Sequence, residues 1–181
     1  MITKDSGTPA GRAIASTAFA AAVGAPLGLR PPQLWTGLRT GAVAVGLVAT
    51  TVVALTAVPR VRAGMEARRI PADPVRWLVL EIPIATAWTE EMLFRGVLQT
   101  LAVRAIGPTV GPLVQAAAFG LWHIPDARRV GDPVFGTVVV TAMAGWVFGW
   151  LAKRSGSLLA PVLAHAAFNE SAAVAALVVQ R

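Results

Sequence analysis

The sequence predicts an all-α protein, a polytopic transmembrane helical bundle of about six spans. Hydrophobic residues make up 55% of the 181 residues and charged residues only 14%, whereas about 25% of a soluble domain is charged. Several uncharged runs also approach the length of about 20 residues that crosses a hydrocarbon core of about 30 Å as a helix. The chain has no cysteine, which excludes disulfides and thiolate metal sites.

The first two spans are predicted at residues 13–29 and 40–58. The first run is rich in alanine and follows a basic segment, a pattern also typical of a signal peptide, but we interpret it as a retained span. It ends at Arg30-Pro31-Pro32, and the second run ends at Pro59, because proline cannot continue a helix.

Four further spans follow a basic loop. The third span contains Pro83, where we expect a kink, and the entry to the fourth is marked by Gly107-Pro108 and Gly111-Pro112, before the span stops at Pro125. We predict these spans at 77–103, 107–124, 133–152 and 157–179. The chain is thereby divided into a cytoplasmic N-terminal segment (1–12), two N-terminal spans with the basic loop (13–76) and a four-span core that carries the polar residues discussed below (77–181).

The basic residues predict the orientation in the membrane. With six spans, ten Lys and Arg residues lie on the side of the two termini and five on the opposite side. The positive-inside rule therefore places both termini in the cytoplasm. The net charge of +7 does not indicate nucleic-acid binding, because the chain offers no basic face on a soluble fold. Fourteen arginines against two lysines favour a GC-rich prokaryotic genome, and hence a prokaryotic plasma membrane.

Besides Glu81 near its start, the third span contains three charged residues: Glu90, Glu91 and Arg95. A charge at the bilayer centre costs at least about 2.5–3.5 kcal/mol, so such residues indicate a functional site. Glu91 and Arg95 are four residues apart and can pair on one helix face. Glu90 points about 100° away and has no partner within its own helix. We therefore expect one carboxylate to be held and the other to remain free.

Two more polar pairs with the same spacing lie in later spans. Phe119 precedes His123 in the fourth span, and His165 precedes Asn169 in the sixth. Glutamate can act as a general base, histidine can bind a metal or transfer a proton, and an asparagine N–H can stabilise an oxyanion. Together these groups are the components of a hydrolytic site. No Gly-x-Ser-x-Gly sequence occurs, so a serine hydrolase is not indicated.

The residues alone leave two other classes of function open. The polar cluster could instead lock helices together in a non-catalytic membrane interaction or immunity protein. It could also serve a proton-coupled transporter, which uses Glu and His within the bilayer. A transporter of this kind predicts two related halves, and the sequence shows no internal repeat.

The three motifs resemble those of the CPBP family of intramembrane endopeptidases. This family includes the CAAX prenyl endopeptidases and bacterial proteins linked to bacteriocin processing, self-immunity and abortive infection. Its pattern is Glu-Glu-x-x-x-Arg, then Phe-x-x-x-His, then His-x-x-x-Asn, and the resemblance covers roughly residues 77–179. The motifs are complete in this chain as Glu90-Glu91-Met92-Leu93-Phe94-Arg95, Phe119-Gly120-Leu121-Trp122-His123 and His165-Ala166-Ala167-Phe168-Asn169.

The resemblance implies an endopeptidase that cleaves a protein or peptide substrate in or near the bilayer. It implies that Glu90 activates the water, that Glu91 held by Arg95 positions the site, and that both histidines complete it. Asn169 would stabilise the oxyanion. It also leaves two mechanisms open: a zinc ion bound by Glu90, His123 and His165, or a metal-free reaction. A prenylated CAAX protein is not the substrate that a prokaryotic composition favours.

Overall fold

The computed structural model describes residues 7–181. The first half of the predicted cytoplasmic segment 1–12, with Lys4, lies outside the described residues. The described chain is helical, without β-strands between residues 7 and 181. We number its helices α1 Pro9–Ala22, α2 Gln33–Leu55, α3 Pro59–Glu66, α4 74–106, α5 108–122, α6 Ile124–Val130, α7 Val134–Ser155 and α8 Leu159–Val179.

The predicted all-α membrane bundle is confirmed. Three single helices are long and apolar enough to cross a membrane, namely α2, α7 and α8. The fourth candidate is the continuous run Pro74–Val130, 57 residues long, which contains α4, α5 and α6. The chain reverses within it at Gly107, where φ is 87° and ψ is 169°, a conformation that favours glycine.

The first predicted span is only partly helical. Helix α1 has 14 residues, or about 21 Å, and is too short to be a candidate span. Residues 25–29 then continue outside any helix. The segment still follows α4 over most of its length, because Arg12 pairs with Glu81 near the start of α4 and Arg104 near its end donates to the Val23 carbonyl.

One end of the bundle gathers the two ends of the described chain. Glu81 accepts from Arg12 and from Arg76, each at 3.2 Å. The amide of Gln180 donates to the Met65 carbonyl at 2.8 Å. The start of α1, the basic loop and the end of α8 therefore lie together, as the predicted topology requires, and we call this the terminal end.

The opposite end is closed by the segment that follows α1. Gly28 meets Gly156 in the turn between α7 and α8, and Ser157 Oγ donates to the Gly28 carbonyl at 2.8 Å. Gly28 has a φ of 61°. We call this end of the bundle, opposite the terminal end, the far end.

Helix α4 is wound unusually around the Glu90–Glu91 pair. The segments Trp77–Trp88 and Met92–Leu98 are π-helical, and Thr89–Glu91 forms an α-turn between them. Pro83 lies inside the first of these segments, and the helix continues through it. Mid-helix π-turns are rare and frequently mark functional sites.

Two predicted loops contain short helices. Helix α3 lies within the basic loop, and α6 occupies most of the loop after the fourth span. Pro125 does not end a helix as expected but stands in the first turn of α6, where its missing N–H costs nothing. The helix break falls instead at His123.

Candidate active site

Glu91 is the centre of a fully buried polar cluster. Its Oε1 lies 2.9 Å from Arg95 Nη1, and both side chains are 0% exposed, which confirms the pairing predicted from their spacing. The same oxygen lies 2.8 Å from His165 Nδ1. Because a carboxylate only accepts, Nδ1 carries the proton and donates it, which leaves Nε2 of the neutral ring as an acceptor.

Arg95 is fixed by groups from three helices. Besides its bond to Glu91, its Nη2 donates to the Gly145 carbonyl at 3.2 Å. Its Cζ lies 4.1 Å from the ring centre of Phe119 and 5.1 Å from that of Phe148. Aromatic faces attract a desolvated guanidinium, so the two rings help Arg95 remain charged inside the bundle.

Glu90 lies next to this cluster but is not held by it. Its side chain is 19% exposed, and its Oε2 is 3.9 Å from His165 Nε2, too far for a direct hydrogen bond. This oxygen has no hydrogen-bond partner within the described chain. The two adjacent glutamates are therefore different. Glu91 is fully buried and its Oε1 is bound by Arg95 and His165, although its Oε2 has no partner in the described chain. Glu90 is partly exposed, and its carboxylate forms no hydrogen bond within the described chain.

His123 reaches the cluster through Phe119. Its Nδ1 lies 2.7 Å from the Phe119 carbonyl, which only accepts, so Nε2 is again the unprotonated nitrogen of the neutral ring. The Phe119 ring is 4.7 Å from His123 and 5.8 Å from His165. The two imidazoles thus flank one phenyl ring, although no ion-pair contact joins His123 to Glu90 or Glu91 in residues 7–181.

Asn169 and the three possible metal ligands are less closely connected than the residues of the buried cluster. Asn169 is half-buried one helical turn beyond His165, but no hydrogen bond within the described chain links it to the cluster. In the same part of the chain, no three His, Cys, Asp or Glu side chains are grouped so that they could hold a metal ion. Glu90, His123 and His165 therefore do not fit a three-ligand zinc site, and no step below passes through a metal.

Phe148 and Gly145 also contact the cluster, although the sequence did not predict them as site residues. Phe148 stacks on His165 with ring centres 5.2 Å apart and an angle of 23°, and Gly145 supplies the carbonyl that binds Arg95. Both lie in a span without polar motifs. The available signal was Gly145-x-x-x-Gly149, a spacing of small residues that allows helices to approach closely in membranes.

A second polar layer lies one helical turn from the first, toward the far end. Gln115 is fully buried, and its Oε1 and Nε2 and the Oε1 of Gln99 have no partner in the described chain. A Cβ on Gly149 would lie 2.6 Å from Gln99 Oε1 and 3.3 Å from Gln115 Oε1, so these amides fill the space beside that glycine. We call Glu91, Arg95, Phe119, Gly145 and His165 the charged layer, and Gln99, Gln115 and Gly149 the glutamine layer.

Comparison with known proteins identifies a family. The family model described as Type II CAAX prenyl endopeptidase Rce1-like matches residues 72–170, more than half of the chain and all three motifs. Neither the curated proteins nor the solved structures include a match. The family implies a protease of the membrane, in agreement with the resemblance noted in the sequence. This chain belongs to the Rce1-like family of type II CAAX prenyl endopeptidases.

Proposed function

We propose that this protein is an intramembrane endopeptidase in which Glu90 activates the attacking water. The observation that carries the proposal is the contrast between two neighbouring carboxylates. The carboxylate of Glu91 is fully buried and its Oε1 is bound by Arg95 and His165, whereas the carboxylate of Glu90 is 19% exposed, forms no hydrogen bond within the described chain and lies 3.9 Å from His165 Nε2. A general base must be close to its water and free to take a proton.

The proposed reaction is a direct hydrolysis. Water bound beside Glu90 Oε2 and His165 Nε2 gives a proton to the Glu90 carboxylate, and its oxygen bonds to the scissile carbonyl carbon. The carbonyl electron pair moves to its oxygen, which forms a tetrahedral oxyanion. When this intermediate collapses, the C–N bond breaks and Glu90 returns its proton to the leaving nitrogen. The products are one carboxylic acid and one amine.

The charged layer holds His165 in the orientation that this reaction needs. Donation from His165 Nδ1 to Glu91 at 2.8 Å fixes the tautomer, so that Nε2 accepts from the bound water. Arg95 holds Glu91 in place through its 2.9 Å contact with Glu91 Oε1. We propose that the unprotonated Nε2 of His123 accepts a hydrogen bond from an N–H of the substrate or of the leaving group. We propose that Asn169 donates a hydrogen bond from its amide N–H to the oxyanion.

The proposal also covers the setting of the reaction. The substrate is a protein or peptide segment in or near the membrane, reached from the lipid bilayer that surrounds the helices. We place the protein in a prokaryotic plasma membrane with both termini in the cytoplasm, on the count of basic residues by loop. Nucleic acid is not a partner.

The test compares membranes from cells that produce the wild-type protein, Glu90→Gln or Glu81→Gln. New protein N-termini are labelled and identified by mass spectrometry. Glu81→Gln is the matched control, because it alters a carboxylate of the same helix that pairs with Arg12 and Arg76 outside the site. We expect N-termini that appear with the wild type and with Glu81→Gln but not with Glu90→Gln.

The opposite result would favour a non-catalytic lock between helices. In that case the three samples would share one set of N-termini, and Glu90→Gln would lower the amount of folded protein. Purification in mild detergent and size-exclusion chromatography measure that amount for each variant.

A further inference from the structure

The far end of the bundle carries positive charge that no acidic residue balances. The acidic residues of the described chain lie at the terminal end or within the spans, and none of them lies at the far end. In contrast, several cations at the terminal end are already paired, such as Arg62 with Glu66 and Arg129 with Asp126. The exposed cations of the far end are Arg30, Arg39, Arg104, Lys153 and Arg154.

The fold brings three of these cations around one backbone contact. The Leu158 N–H donates to the Leu27 carbonyl at 2.9 Å, and Gly28 meets Gly156. Arg30 follows Gly28 by two residues, and Lys153 and Arg154 immediately precede Ser155 and Gly156. Cations from separate parts of the sequence therefore share one surface.

Exposed tryptophans place this surface at the level of the lipid headgroups. Trp35 is 54% exposed and lies between Arg30 and Arg39 in the sequence, and Trp150 is 51% exposed one turn before Arg154. Tryptophan is enriched where a membrane protein crosses the interface between hydrocarbon and water. The far-end cations thus lie beside the layer that contains lipid phosphates.

We propose that the far end binds the phosphate groups of anionic phospholipids through Arg30, Lys153 and Arg154, with Arg39 and Arg104 at its border. Phosphate supplies the counter-charge that the protein does not provide at this end. Arg104 also donates to the carbonyls of Val23 and Gly24, so bound phosphate would stabilise the segment that follows α1. The inference does not depend on the proposed peptidase activity.

The test uses the full-length protein in nanodiscs of phosphatidylcholine alone or with phosphatidylglycerol. Native mass spectrometry counts retained phosphatidylglycerol, and a thermal shift assay gives the midpoint of unfolding. One double variant is Lys153→Gln with Arg154→Gln. The matched control is Arg128→Gln with Arg129→Gln, which removes the same charge from exposed positions at the terminal end.

For the wild type we expect retained phosphatidylglycerol and a higher unfolding midpoint in the anionic nanodiscs. Each cation lost should weaken this binding about fivefold, so the far-end variant should lose most retained lipid while the control keeps it. Equal retention in both double variants would overturn the proposal.

If the far-end variant does not fold, two other measurements replace it: lipid retention by Arg30→Gln, and lipid retention by the wild type at increasing salt concentration. The proposal would also be overturned if neither the substitution nor the salt lowered the amount of retained phosphatidylglycerol. Binding of soluble polyglutamate without any response to phosphatidylglycerol would also overturn it and would indicate an acidic protein partner.

Discussion

The charged layer and the glutamine layer lie one turn apart on α4, α5 and α7, with His165 of α8 added to the charged layer, and their buried polar groups are bonded to different extents. In the charged layer, Arg95 is bound by Glu91, by the Gly145 carbonyl and by two aromatic faces. In the glutamine layer, three amide atoms of Gln99 and Gln115 have no partner in the described chain. Glu91 Oε2 and Arg95 Nε of the charged layer also lack a partner there, but both of these side chains are otherwise bonded. Full charges are thus tolerated where they are paired, whereas neutral amides remain at a cost of about 1–3 kcal/mol for each unsatisfied group. The comparison indicates that the charged layer supports the fold and that the glutamine layer adds little stability.

The largest effect should come from breaking the charged layer. Arg95→Met leaves Glu91 as a buried carboxylate without its counter-charge, and such a change costs about 3–5 kcal/mol. Unfolding in detergent with increasing SDS measures the loss. The control is Arg95→Met combined with Glu91→Gln, which should recover part of the stability because no unpaired charge remains. A single variant within about 1 kcal/mol of the wild type would mean that the pair is not held as described.

The two glycines of α7 allow a direct comparison of the layers. A Cβ on Gly145 would lie 3.1 Å from Phe119 Cδ1 and 3.2 Å from Ala116 Cα, and neither the packed ring nor the backbone can move away easily. We expect Gly145→Ala to cost about 1–3 kcal/mol and to slow cleavage. In Gly149→Ala the new Cβ would contact mainly the end of the flexible Gln99 side chain, so the loss of stability should be smaller. The midpoints of SDS unfolding rank the two variants, and the reverse order would show that Gln99 is held by a partner.

The smallest effect is expected in the glutamine layer itself. Gln115→Met keeps a similar side-chain volume and removes two buried amide atoms without partners. Since an apolar side chain of the same shape loses nothing by burial, stability should stay unchanged or rise by about 1 kcal/mol. Gln99→Met, measured in the same assay, tests the other amide. A clear loss of stability in Gln115→Met would show that this amide is bonded in the membrane.

Spacing within one helix could be predicted, because it follows from helix geometry alone. The spacing of four residues predicts that Glu91 and Arg95 lie on one face of their helix, and the 2.9 Å contact between their side chains confirms this prediction. The six apolar runs correspond to α1, α2, α4, α5, α7 and α8. The family could also be predicted, since three motifs on separate spans form a specific pattern.

Contacts between helices could not be predicted, because rotation and depth are set by packing. The sequence does not show that His165 binds Glu91 or that Phe148 stacks on His165. The sequence also does not show how deep His123 lies in the bundle, whereas the structure links this residue to the site through the ring of Phe119. The incomplete helix of the first run depends on Gly24 and Pro26, whose effect on a membrane segment is not fixed by hydrophobicity.

The most direct test of the account is the ratio of cleavage rates of wild type and Glu90→Gln in detergent, on a peptide identified by the survey of N-termini. The account predicts a loss of about a hundredfold or more, the range of general-base catalysis, with an unchanged unfolding midpoint. A folded Glu90→Gln protein that cleaves within about threefold of the wild-type rate would contradict the assignment of Glu90 as the base.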